Sequence, residues 1–450
     1  MNLKEIHNVY FIGIGGIGMS ALAKYFHHIG KNVAGYDKTA TPLTLELEAS
    51  GMDIHYQDAM SHVPNDFKEL ASTLVVFTPA VPDSHSELQY FLDEGFVVKK
   101  RSEVLGLITK DTFALAVAGT HGKTTTSCIL AHLLKEVGAL FTGFLGGISE
   151  DFDSNFIFEG NEYAVVEADE FDRSFLRLYP NVACITSMDA DHLDIYGSSK
   201  ELLNAFEEFA KKLEVNGKLI VRKGLPLQGI TYGIEEEADY VINNIQIING
   251  SYVFDVKGPF GVLEDVSFHK PGKHNLSNAL AAFAMAVEAG FSPKSLIQGL
   301  ATFKGVQRRF SYQLKEHDFV FIDDYAHHPT EINAVFDAVQ EMHPKKMNMV
   351  VFQPHLFSRT RDFIDDFASS LAKYDAVRLL DIYPAREEPI PGVTSQWLLD
   401  KIDNPNKKLI KKANLINELV ENKPEVLITL GAGDIGLEVP KIKKALAHAS

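Results

Sequence analysis

The stretch Phe113-Ala114-Leu115-Ala116-Val117-Ala118-Gly119-Thr120-His121-Gly122-Lys123-Thr124-Thr125-Thr126 decides the fold. An apolar run of strand length leads into a glycine-bearing turn, and the apolar residues at 130, 133, 134 and 137 then recur at helical spacing. Strand, tight loop and helix in that order make a phosphate-binding site. Backbone N–H groups of the loop cradle a β-phosphate, Lys123 reaches the β/γ oxygens, and the Thr124 hydroxyl is offered to Mg²⁺. The strict eight-residue pattern is not met, because Val117 stands five positions before Gly122, so the loop is a shortened variant.

Upstream, strand-like and helix-like runs alternate: Asn8 to Gly13, Ser20 to Ile29, Asn32 to Tyr36, Pro42 to Ala49 and Leu74 to Thr78. This predicts βαβ units on a largely parallel sheet. The first of these turns, Gly13-Ile14-Gly15-Gly16-Ile17-Gly18, has the Gly-x-Gly-x-x-Gly spacing between a strand and a helix, with Asp37 closing the next strand. Glycines there let N–H groups approach a diphosphate at the positive end of a helix. The same spacing recurs at Gly431-Ala432-Gly433-Asp434-Ile435-Gly436, where a purely structural turn is expected.

A fresh strand beginning at Thr112 puts the first boundary near residue 108. Short β-branched segments between about 218 and 268, such as Tyr240 to Ile248 and Tyr252 to Val256, predict antiparallel hairpins, followed by a helix from Asn275 to Ala289. A third alternating set runs from Phe319 through Val426 to Leu430. The expected architecture is therefore α/β in three domains, 1–108, 109–310 and 311–450.

Composition agrees. At about 150 residues per domain, 450 residues suggest three, and 46% hydrophobic with 23% charged residues excludes disorder. A net charge of -17 works against a nonspecific grip on nucleic acid or anionic membrane, so any phosphate must be held locally. Two cysteines, Cys128 and Cys184, form neither a disulfide framework nor a metal-ligand spacing, and fit a reducing cytoplasm. The apolar run from Val9 to Ala23 carries four glycines and reads as strand, loop and helix, not as a signal peptide. No run reaches membrane-spanning length.

A triphosphate site needs a hard cation with oxygen ligands at the carboxyl ends of neighbouring strands. The run Tyr163-Ala164-Val165-Val166 ends in Glu167-Ala168-Asp169-Glu170, and Val182 to Ser187 ends in Met188-Asp189-Ala190-Asp191-His192. Thr124, Glu167 and His192 are the candidate metal set. Asp169, Glu170 and Asp189 serve equally well as caps of the following helices.

These segments, together with Asp191-His192-Leu193-Asp194-Ile195-Tyr196, Lys273-His274-Asn275-Leu276-Ser277-Asn278-Ala279, Gln307-Arg308-Arg309-Phe310 and Asp323-Asp324-Tyr325-Ala326-His327-His328-Pro329-Thr330-Glu331, resemble the Mur ligase family over essentially the whole chain. Within it the chain is most similar to the members that join L-alanine to UDP-N-acetylmuramate in peptidoglycan precursor synthesis. The resemblance implies a Rossmann-like N-terminal domain for the UDP moiety, a central P-loop ATPase-type domain for MgATP, and a Rossmann-like C-terminal domain for the amino acid. It implies that the lactyl carboxylate attacks the γ-phosphate, giving an acyl phosphate from which the alanine amine displaces phosphate.

Carried onto this chain, the resemblance places ATP phosphates on Gly119, Thr120, His121, Gly122, Lys123, Thr124 and Thr125, with Asn278, His274 and Asn275 toward the adenine. It places Mg²⁺ on Thr124, Glu167 and His192, and gives Arg309, with its neighbour Arg308, the role of stabilising the transferring group. Lys123, Arg309 and His192 are the implied catalytic residues. Gly13, Gly15, Gly16, Gly18, Met19, Ser20 and Asp37 would face the UDP-sugar, and His327, His355 and Arg359 the amino acid, with Asp324 and His328 nearby. The chain departs from the family at Leu356 and Phe357, where members commonly show arginine and tyrosine, which leaves glycine and serine open beside alanine.

Three other readings compete. A recycling ligase attaches a whole tripeptide to the same sugar nucleotide, but typically has cysteine and threonine among the glycines of the first loop. A nicotinamide-dependent dehydrogenase explains the first loop and Asp37 but not Gly122-Lys123-Thr124. A catalytically silent nucleotide-binding regulator has no need of lysine, threonine, glutamate and histidine at these places.

Overall fold

A computed structural model describes residues 3, 5–110, 112–189, 196, 198–248, 250–385 and 387–447. The chain divides into two compact units, the first comprising Met1–Ile245, Phe254–Ser267 and Ser277–Phe303, the second Gln246–Val253, Phe268–Leu276 and Lys304–Ser450.

The first unit opens with a five-stranded sheet in the order β3-β2-β1-β4-β5, made of β1 (Asn8–Ile12), β2 (Asn32–Tyr36), β3 (Asp53–His55), β4 (Thr73–Phe77) and β5 (Val97–Lys100). Every pairing in it is parallel. The strand order reverses between β1 and β4, so the crevice beyond their carboxyl ends, where the glycine turn sits, is the expected ligand position of an open parallel sheet.

A second sheet has β6 (Phe113–Ala118) near its middle, paired in parallel with β9 (Tyr163–Glu167) and β10 (Val182–Ile185). Its strands β6, β9 and β10 are buried and nearly uniformly apolar, as parallel strands covered on both faces must be. One edge differs from the expected strand and helix alternation. After the helix Lys123–Glu136 the chain forms an antiparallel hairpin, β7 (Phe141–Ser149) and β8 (Ser154–Phe158), with β7 also parallel to β9. At the other side β11 (Lys218–Arg222) and β12 (Ile230–Ile234) lead to the strands Tyr240–Ile248, Ser251–Gly258 and Gly261–Phe268.

The hairpin packs on the helix Ile17–His28. Asn155, fully buried in β8, donates from Nδ2 to the Ile17 carbonyl (2.6 Å) and to Ser20 Oγ (2.9 Å), while its Oδ1 accepts from Lys24 Nζ (3.1 Å). Tyr25, Phe144 and Phe156 pack around this joint with their rings tilted or edge-on to one another.

The second unit holds a six-stranded sheet containing Val320–Asp324, Val426–Leu430 and Asn348–Phe352 as adjacent parallel strands, all buried. Only its edge strand Ser311–Lys315 runs antiparallel to its neighbour.

Candidate active site

The phosphate loop follows β6 directly. Gly119 (φ 132°) and Gly122 (φ 83°) both have the left-handed backbone that favours glycine, and a Cβ on Gly119 would stand 2.2 Å from Thr186 Oγ1. The loop is held from behind by β10's extension: Thr120 N donates to the Ser187 carbonyl (3.2 Å) and His121 N to Ser187 Oγ (2.7 Å). The first hydrogen bond of the following helix is Thr126 N to Gly122 O (2.9 Å), so the N–H groups of Lys123, Thr124 and Thr125 have no acceptor within it and mark an anion site. Asn278 lies against the loop, its Oδ1 2.5 Å from where a Gly122 Cβ would be.

Lys123 Nζ rests between the Gly119 carbonyl (2.7 Å) and Glu170 (2.8 Å to Oε2). Burial alone would depress its ammonium, but the charges of Glu170, Asp169 and Glu167 outweigh that and hold the lysine protonated well above its ordinary range. Glu170 therefore pairs with the catalytic-type lysine and does not cap a helix, which corrects one of the two roles left open for it. Asp169, one residue before the N-cap of the turn Phe171–Arg177, accepts from Phe171 N (3.1 Å). Glu167 ends β9 beside Gly146. The hydroxyl of Thr124 and the carboxylate of Glu167 are hard oxygen donors, the set that suits Mg²⁺ and leaves room for phosphate oxygens and water. His192 and the residues 190–195 lie outside the described residues.

In the N-terminal turn, Asp37 accepts from Gly15 N (2.7 Å), which braces the turn from within. The N–H groups of Ile17, Gly18 and Met19 sit at the open start of the helix. A cavity of about 220 Å³ has Gly16, Gly18, Thr78 and Pro79 on one wall and Gly146, Glu167, Asp169 and Ser174 on another, with Arg101 between them. Arg101 and Asn155 escaped the sequence reading. The available signal for Arg101 was its place just beyond the carboxyl end of a parallel strand, where ligands bind; Asn155 carries no local signal.

In the second unit, Asp324 accepts from Phe310 N and Ala326 N (2.7 Å each), and burial raises its pKa to about 6 against the opposing charge of Arg309. Those bonds hold the turn containing Arg308 and Phe310, both at positive φ, and thereby place Arg309 over Tyr325 (5.3 Å to the ring centroid) and 3.9 Å from Glu331. Burial, then the Arg309 charge, lower His274 to about 4, so its imidazole is neutral. His327 is 3.5 Å from Glu331, its ring 6.0 Å from that of His355, and His355 Nδ1 is 3.4 Å from Arg359. The structure thus brings His327, His355 and Arg359 together. His328 does not join them: it caps the helix Pro329–Met342 and packs on Phe363. Leu356, at φ 72°, is buried. The second glycine turn is filled by Gln353, which accepts from Ile435 N (2.9 Å) and donates to Asp434 (2.7 Å).

Three family models match successive parts of the chain. Residues 8–112 match the Mur ligase family catalytic domain, 117–286 the Mur ligase middle domain and 308–437 the Mur ligase glutamate ligase domain. A UDP-N-acetylmuramate–L-alanine ligase of Flavobacterium psychrophilum is 60% identical, with 99% of each chain covered. The crystal structure of the UDP-N-acetylmuramate-alanine ligase of Thermotoga maritima superposes with a TM-score of 0.83 at 27% identity, covering 98% of this chain and 100% of that one. A murein peptide ligase of Psychrobacter arcticus shares the fold at a TM-score of 0.70 and 23% identity, with 98% of each chain covered.

Proposed function

Since the chain belongs to the Mur ligase family, we propose that its site joins L-alanine to the lactyl carboxylate of UDP-N-acetylmuramate with hydrolysis of ATP to ADP and phosphate. The observation that carries this reading is the cavity in which a diphosphate-type glycine turn faces Glu167 and Asp169, two of the carboxylates whose charges act on the phosphate loop's lysine. A sugar nucleotide on one wall and a triphosphate beyond the other is the arrangement that phosphoryl transfer to a carboxylate requires. The full-length likeness to alanine-adding ligases supports the choice of substrate.

The reaction divides into two steps. A lactyl carboxylate oxygen attacks the γ-phosphorus, the bond to the β-bridging oxygen breaks, and ADP leaves an acyl phosphate. The deprotonated alanine amine then attacks the acyl carbon and expels inorganic phosphate. In-line phosphoryl transfer demands positioning and charge neutralisation more than a protein nucleophile. Lys123 supplies a cation already aimed at the loop, and the N–H groups of Lys123, Thr124 and Thr125 at the helix start hold phosphate oxygens. Bound Mg²⁺ would neutralise β/γ oxygens, with Thr124 and Glu167 as its oxygen ligands. Arg309 stabilises charge on the transferring group, while His327, His355 and Arg359 receive the amino acid.

Phosphate release from MgATP with UDP-N-acetylmuramate, run against L-alanine, glycine, L-serine and an L-Ala-D-Glu-containing tripeptide with product masses recorded, tests the reading. Release that requires both the sugar nucleotide and alanine is expected. Release with the tripeptide alone moves the protein to recycling, and no release from folded, ATP-binding protein returns the regulator.

A further inference from the structure

The side chains that line the cavity of the first unit offer an anionic substrate one positive charge. Its described lining carries two carboxylates, Glu167 and Asp169, and a single cation, Arg101. The guanidinium lies flat against the glycine turn, with Nη1 2.7 Å, Cδ 3.1 Å and Cζ 3.2 Å from the place of a Cβ on Gly18. Gly18 in turn sits in the open first turn of the helix Ile17–His28. Arg101 begins its own helix, Arg101–Thr109, and its Nη2 contacts Asp169 Oδ2 at 3.5 Å, with both side chains part-exposed. That contact is long, single and open to solvent, so it holds the guanidinium weakly.

We infer that Arg101 is the charge-pairing residue for the diphosphate of the sugar nucleotide, exchanging its loose contact with Asp169 for phosphate oxygens. The inference rests on the proposed function and names a specificity determinant within it. A planar fork beside a helix start brings two kinds of donor to one place: N–H groups from the turn and a bidentate cation next to them. Without Arg101, a doubly charged diphosphate would enter a cavity whose remaining charges, Glu167 and Asp169, repel it.

The test compares wild type, Arg101→Gln and Arg101→Lys by calorimetric titration with UDP, UDP-N-acetylmuramate and a non-hydrolysable ATP analogue. Expected for Arg101→Gln is a loss of about 10- to 100-fold in affinity for both UDP and UDP-N-acetylmuramate, with ATP-analogue affinity unchanged. Arg101→Lys should recover part of the loss, since it restores charge without the fork. Equal UDP affinity in wild type and Arg101→Gln overturns the inference and leaves the functional reading intact. A loss confined to UDP-N-acetylmuramate also overturns it, by moving Arg101 to the lactyl carboxylate. Parallel loss of ATP-analogue binding reduces Arg101 to a structural role. Wild type that binds the ATP analogue but neither uridine nucleotide sinks the functional reading and the inference together.

Discussion

Lys123 and Glu170 form a buried ion pair: Nζ stands 2.8 Å from Oε2, and the glutamate side chain is wholly shielded from solvent. The lysine is thus held in place before any nucleotide arrives, at the cost of desolvating two charges.

This pairing separates two effects of removing the lysine. Lys123→Ala should lower kcat about 100- to 1000-fold through loss of the γ-phosphate's cation. It should also destabilise the protein by about 3–5 kcal/mol, because the Glu170 charge stays buried without its partner. Combining Lys123→Met with Glu170→Gln should restore most of the stability in chemical denaturation and none of the turnover. Near-wild-type turnover in Lys123→Ala would place the ATP site elsewhere.

Gly146 provides a test of Glu167 that leaves the carboxylate intact. A Cβ at position 146 would stand 2.1 Å from Glu167 Oε2, so Gly146→Ala must push the carboxylate aside. The Mg²⁺ concentration for half-maximal rate should rise about tenfold or more, as when the support of a metal ligand is disturbed. Glu167→Ala should raise it further. Unchanged Mg²⁺ titrations in both variants would remove Glu167 from the metal's ligands.

Asn155 ties the second sheet's hairpin to the glycine turn through the Ile17 carbonyl and Ser20 hydroxyl. Asn155→Ala leaves those buried groups short of a partner, so a loss of about 1–3 kcal/mol in stability is expected. Misplacement of the turn should raise KM for UDP-N-acetylmuramate about tenfold with KM for ATP little changed. Equal shifts in both constants would argue against a role specific to the turn.

Glu87 makes stability depend on pH in an unusual direction. Its carboxyl is shielded from solvent beneath β1 and β3, and burial raises its pKa from 4.5 to about 7, opposed by hydrogen bonds from Tyr10 and Ala59 N. Asp58 adds repulsion. His55 and His85, the neighbouring imidazoles, are themselves pushed down by burial and bring no compensating cation. A raised acid pKa means the native state keeps a proton that the unfolded chain has released between pH 4.5 and 7. Stability from this group is therefore greatest below 4.5, falls as pH climbs through that window, and is level above it. Denaturation at pH 5 and pH 8 should show Glu87→Gln gaining about 2–3 kcal/mol over wild type at the higher pH. No relative gain would mean that Glu87 titrates as an ordinary carboxylate.

Both glycine turns, the strands that lead into them and the helices that leave them were legible in the sequence because their causes are local. Glycine is needed where φ is positive at Gly119 and Gly122, apolar runs mark buried parallel strands, and helical spacing shows in the residues after Lys123. The antiparallel hairpin β7–β8 was not legible, since it stands where the preceding βαβ pattern predicts a parallel strand and its partners are chosen by packing on the helix Ile17–His28. Nor were the partnerships that set the site's electrostatics: Lys123 with Glu170 across 47 positions, Arg101 with Asp169 across 68, Asn155 with Ser20 across 135. A local pattern reports how each residue's own backbone and face behave. Which distant carboxylate lies within reach of which cation depends on strand order and helix packing, and only the assembled tertiary structure decides that.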